Sequence, residues 1–186
     1  MKNRLIKIAC ICLMIVSLSI VFTGCGNKGQ ITIAQIEEVL INAPKPKFVG
    51  ASSVNNIECL TRENVDSYTY ACVRWQRNFE DNNIDSTDFM SMSRMRYSIF
   101  YNQSDLRYYY IYVFKFTESD DAEVCCKKLN KLNILEKNDY YGTIDYSNEA
   151  YKNYKYKAKQ YGNLVVYVYI EMANYVFGLI NWIKAK

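Results

Sequence analysis

The stretch from Tyr108 to Phe116 (YYYIYVFKF) constrains the fold more than any other. It is β-branched and aromatic almost throughout, and apolar at odd and even positions alike. Such side chains suit a pleated surface. A run apolar on both faces reads as a central strand rather than an edge. Met95 to Tyr101 reads as its partner, across a turn at Asn102-Gln103-Ser104-Asp105. The period then changes from 2 to 3.6. Asp120 and Glu123 stand as a capping box. Ala122, Cys125, Cys126, Leu129 and Leu132 form one helical stripe.

The same order recurs downstream. Tyr154 to Tyr161 alternates, with Lys155, Lys157 and Lys159 on one face and Tyr154, Tyr156 and Ala158 on the other. Gly162-Asn163 is a two-residue hairpin signal, Gly supplying the positive φ of a type II′ turn. Leu164 to Met172 returns as a strand. Asn174 reads as the cap of a last helix, in which Val176, Leu179, Ile180 and Ile183 share a face.

Before these units stands a helix. Thr32 and Gln35 form a capping box, Ile31 and Ile36 a hydrophobic staple, and Pro44 and Pro46 end the segment. Residues 47–64 carry Val54, Ile57 and Leu60 in a short strand or loop. Residues 65–79 fit two periods. Tyr68, Tyr70 and Cys72 alternate, while Val65, Tyr68, Cys72, Trp75 and Phe79 fit a helix face. Aromatic and β-branched density tips the reading to strand. Residues 80–88 read as a polar loop. The expected fold is α+β: an antiparallel sheet of five or six strands, helices mainly on one face. An N-terminal helix is followed by two strand–strand–helix units, and the lysine face of 154–161 points to solvent.

The first 25 residues set location. Lys2, Arg4 and Lys7 precede an uncharged run from Ile8 to Phe22. That run is shorter than the roughly 20 residues that span a bilayer, and suits a signal-peptide core. Phe22-Thr23-Gly24-Cys25 follows. This stretch resembles the lipobox of bacterial lipoprotein precursors, with Phe22 where Leu is usual. The resemblance implies diacylglycerol on the Cys25 sulfur and cleavage after Gly24. It divides the chain into a removed leader (1–24), a lipidated cysteine with a short tether (25–30), and one globular domain (31–186). The implied location is the outer face of the cytoplasmic membrane. Two or more lipid chains anchor stably.

Removing residues 1–24 of 186 leaves 162, the size of one domain. The leader takes three of the 23 basic residues and no acid, so 20 bases face 19 acids. That near balance gives no electrostatic footprint for nucleic acid. Lys, Asn, Ile and Tyr, all with A/T-rich codons, supply 16, 18, 18 and 18 residues. Part of the tyrosine content is therefore compositional drift.

Cys59, Cys72, Cys125 and Cys126 remain after the leader and Cys25. All have apolar neighbours, as free core thiols do. Export also permits disulfides, with Cys59 to Cys72 the pairing considered. Cys125-Cys126 is adjacent and so matches neither a redox nor a zinc spacing.

The chain has no histidine. The commonest general base and metal ligand is absent, and with it any Ser-His-Asp or Cys-His arrangement. No glycine-rich phosphate loop appears. Asp81-x-Asn83-x-Asp85 copies the first three ligand positions of a calcium loop, but Ser86 replaces the turn glycine and Met92 the bidentate Glu. The reading expects no cofactor and a non-enzymatic domain. It binds a protein or cell-envelope partner, with Lys155, Lys157 and Lys159 as candidate contacts. The alternative is a cell-envelope hydrolase working through paired carboxylates.

Overall fold

The computed structural model describes residues 30–60, 65–101, 105–132 and 155–184. The leader, Cys25 and all of its tether except Gln30 lie outside the described residues. So do Asn102 to Ser104 of the expected turn, and Tyr154.

The chain runs α1 (Ile33–Asn42), β1 (Ser53–Val54), β2 (Glu58–Cys59), α2 (Val65–Asp81), β3 (Phe89–Phe100), β4 (Leu106–Phe116), α3 (Ser119–Leu132), β5 (Tyr156–Tyr161), β6 (Leu164–Tyr169) and α4 (Ile170–Lys184). The sheet is antiparallel, in the order β1-β3-β4-β6-β5, with β2 also on β3. This is the expected α+β class, with the N-terminal helix and the two strand–strand–helix units in place. Among the described residues, no helix is long and apolar enough to cross a membrane.

β4 sits inside the sheet, between β3 and β6. Its odd residues Tyr109, Ile111 and Val113 enter one core with α1 and α4. Its even residues Tyr112, Phe114 and Phe116 enter a second core with α2 and α3. The helices thus divide between the two faces, where the sequence placed them mainly on one. The apolar character of both faces of β4 and β6 requires this, since each face is withdrawn from water only by a covering layer.

α1 begins as its capping box directs. The Gln35 amide donates to Thr32 Oγ1 at 3.2 Å, and the Thr32 amide donates to Gln35 Oε1 at 2.9 Å. The chain turns extended at Ala43, as a residue before proline does.

Residues 65–79 are helix, not strand. Ala71, Trp75 and Phe79, spaced four apart, are buried against β4 and β6 aromatics. Trp75 meets Phe114 and Tyr112 at ring-centroid distances of 4.7 and 4.8 Å. Tyr70, which made the alternation look like a strand, is exposed. Burial of one stripe outweighs residue-type preference for strand.

β3 starts at Phe89, six residues before the expected Met95. Ser91, Ser93, Arg94 and Arg96 mask its pattern. α3 starts at Ser119, so Asp120 lies in its first turn rather than at its cap. The β5–β6 hairpin turns on Gly162 at φ 62. β6 passes into α4 at Ile170, so Asn174 lies within the helix and caps nothing. Met172, read as the end of the strand, is the first buried residue of that helix.

None of the four domain cysteines is disulfide-bonded. Cys59 belongs to the core shared with α1 and α4, and Cys72 packs on the opposite core. The sheet stands between them, so the disulfide considered from sequence does not form.

Candidate functional site

The lysine strand does not simply face water. Lys157, Lys159 and Tyr161 share the face of β5 that turns toward α4, since Tyr161 is buried in that core. Together with Asn174, Phe177, Gly178 and Asn181 of α4, and with Ala158, the two lysines line an open groove of about 450 Å³. Asn174, Phe177, Gly178 and Asn181 follow one another at helical spacing along the α4 surface. At Gly178 an added Cβ would meet nothing within 4 Å, so the helix leaves the groove unfilled there.

Lys159 is held in place. Its ammonium donates to Asn181 Oδ1 at 3.3 Å. It also lies 5.3 Å from the Tyr161 ring centroid and 5.7 Å from that of Phe177. The Tyr161 hydroxyl donates to the Phe177 carbonyl at 3.4 Å, joining the two elements behind it. A cation held over two aromatic faces is attracted to both rings. Lys157 is exposed and reaches the groove without such ties. Among the described residues, no acid lines the groove. Glu171, in the first turn of α4, receives the Tyr169 hydroxyl at 3.4 Å. The site can therefore attract and orient an anion, with carboxamides to meet neutral polar groups beside it.

Lys155 precedes β5 and does not line the groove. It is exposed, and its carbonyl accepts the first amide of α4, from Ile170, at 2.8 Å. The structure thus brings two of the three candidate lysines into one site and leaves the third in line with them.

The outer edge of β5 is closed by α3. Asn130 Oδ1 accepts the Ala158 amide at 2.8 Å, and Asn130 Nδ2 donates to the Ala158 carbonyl at 3.0 Å. Gln160 Nε2 donates to the Ser119 and Gly162 carbonyls at 2.7 and 2.9 Å. Asn130 thus satisfies edge groups of β5 that would otherwise pair with another chain. The lysine face of β5, not its edge, lines the groove.

The calcium-loop residues fall at the end of α2. Asp81 is its last residue, and Asn83 takes a left-handed φ of 55. Asp85 accepts the Thr87 amide at 2.9 Å, and this bond holds its carboxyl below the usual range. Lys128 of α3 donates to the Asn83 carbonyl. A protein ammonium therefore supplies positive charge in this loop. Among the described residues, no three His, Cys, Asp or Glu side chains gather as a metal site would require.

One polar cluster was not anticipated from sequence. Glu37 of α1 is buried, and its carboxylate accepts Ser93 Oγ at 2.6 Å and the Cys59 thiol at 3.3 Å. The available signal was its position beside Ile36 and one turn before Leu40, on the face that α1 buries. A carboxylate there needs donors from the sheet, and β2 and β3 supply them. The tyrosines of β4 also acquire partners: Arg96 lies over Tyr108 at 4.6 Å and Arg94 over Tyr110 at 5.5 Å. Arg96 is paired with Glu58.

No family model, curated protein or solved structure matches this chain.

Proposed function

We propose that this chain is a lipid-anchored, extracytoplasmic lipoprotein whose domain binds an anionic partner of the cell envelope in the β5–α4 groove. The lipobox-like Phe22-Thr23-Gly24-Cys25 supports the anchor. One observation carries the binding role. Lys159 is fixed by two rings and a carboxamide, in a groove lined by a second lysine and, among the described residues, by no acid. A solvated surface lysine needs no such positioning. In this reading the role is non-enzymatic, the groove offering charge and hydrogen-bonding groups to a partner.

Two measurements test this. Mass spectrometry of the mature N-terminal peptide should find a diacylglyceryl cysteine at position 25, and Cys25→Ser should leave the membrane fraction. A Cys25→Ser chain still wholly membrane-bound would contradict the anchor. Crosslinking from Lys157 in intact envelopes should give one acidic adduct, formed in lower yield in Lys159→Gln. Adducts unaffected by that change would contradict the groove.

A further inference from the structure

We infer that the ligand of the β5–α4 groove is a linear polymer carrying repeated phosphodiesters, not a single small anion. This rests on the binding role proposed above and names its chemistry.

Spacing is the first ground. Lys155, Lys157 and Lys159 recur at every second residue, the first immediately before β5 and the others within it. At about 3.3 Å per residue, alternate positions lie roughly 6–7 Å apart. The result is a row of three cations over about 13 Å, of which Lys157 and Lys159 enter the groove. One small anion needs cations that converge on a point. A row with a fixed step complements a chain whose charges recur along its length.

The kind of cation is the second ground. All three are lysines. An arginine fork suits planar, bidentate recognition, whereas an ammonium is a compact point charge able to meet a tetrahedral phosphate from many directions.

Shape is the third. The groove is concave, and Gly178 leaves its α4 wall open. A flexible chain enters such a recess, and a flat bilayer surface does not. Asn174 and the amide nitrogen of Asn181 offer hydrogen bonds to hydroxyls or ester oxygens between phosphates.

The test uses the full-length lipidated chain in detergent. The probes are poly(glycerol phosphate), monomeric glycerol phosphate and polygalacturonate. The polymer should bind about a hundredfold more tightly than the monomer, because its second and third contacts form intramolecularly. Its affinity should fall with salt, and each Lys→Gln change at 157 or 159 should reduce the log–log salt slope by about one. Each change should weaken binding up to about fivefold. Gly178→Leu places a side chain in the groove at a position where an added Cβ meets nothing within 4 Å, so it should fold as wild type and lose the polymer.

Equal affinity for monomer and polymer, tighter binding of polygalacturonate, or no binding of any probe would overturn the phosphodiester assignment. If polygalacturonate binding depends on Lys157 and Gly178, the groove still stands as an anion site. If the double lysine variant and Gly178→Leu alter the binding of no probe, the groove reading fails too. A bilayer source is separated by inserting the lipidated chain in vesicles. Lys157 should react with an amine reagent equally in phosphatidylglycerol and phosphatidylcholine. Protection by phosphatidylglycerol alone would assign the lysines to the membrane and overturn the proposal.

Discussion

Glu37 shows how one residue ties distant parts of this chain together. It sits on the buried face of α1 and takes hydrogen bonds from Ser93 of β3 and Cys59 of β2. A hydrogen bond to a buried charged group contributes more than a neutral one, and losing the donor leaves the acceptor desolvated. Ser93→Ala should therefore cost about 1.5–3 kcal/mol in denaturant unfolding. A cost near zero would show that the hydroxyl is dispensable to the carboxylate. The cluster was poorly legible in the sequence. Glu37 reads as an ordinary polar residue of an amphipathic helix until β2 and β3 are known to lie against it. Lys159 was legible only in part. Alternation placed it with Lys155 and Lys157, but nothing local revealed that Phe177 and Asn181 would flank it.

At the scale of elements, β5 depends on α3. Asn130 closes both outward-facing groups of Ala158. Asn130→Leu removes both bonds and leaves an unpaired edge, which should cost about 1–3 kcal/mol and promote self-association through β5. Unchanged stability, with no concentration-dependent association on sizing chromatography, would contradict this role. Elements with one strong periodicity were read correctly from sequence: α1 from its capping box, β4 from its doubly apolar run, and the β5–β6 hairpin from Gly162. The misreadings share a cause. Residues 65–79 satisfied two periods, and only the Trp75 contacts with Phe114 and Tyr112 select the helix. β3 was cut short because Arg94 and Arg96 interrupt its apolar pattern. Their side chains lie over Tyr110 and Tyr108 of the neighbouring strand. The position of α4 at Ile170 was hidden because the chain passes from strand to helix without a turn signal. The division of helices between faces follows from β4 and β6 together, and neither strand reveals it alone.

At the scale of the whole domain, tyrosine makes the fold sensitive to alkali. Burial pushes Tyr161 up to about 12. Burial likewise raises Tyr97, with Tyr175 beside it, and Tyr167, with the Cys125 thiol beside it. In an unfolded chain these phenols ionise near 10. Above that pH the unfolded state holds fewer protons than the folded one, so stability falls as pH rises. It is intact below about pH 10 and declines through about pH 12 for Tyr161. Phenolate absorbance should therefore rise in two steps. Exposed tyrosines ionise first, and the buried group ionises together with loss of near-ultraviolet dichroism. Ionisation of every tyrosine near pH 10 with the fold intact would contradict the burial described.

The central claim is that the β5–α4 groove is occupied in the cell envelope. Amine-reactive footprinting of the lipidated protein, in native envelopes and after purification, tests it most directly. Lys157 should be protected in the envelope and reactive when purified. Lys45, in the loop after α1, and Lys131 of α3 are both exposed and should react equally in both. Equal reactivity of Lys157 in the two states would contradict the account.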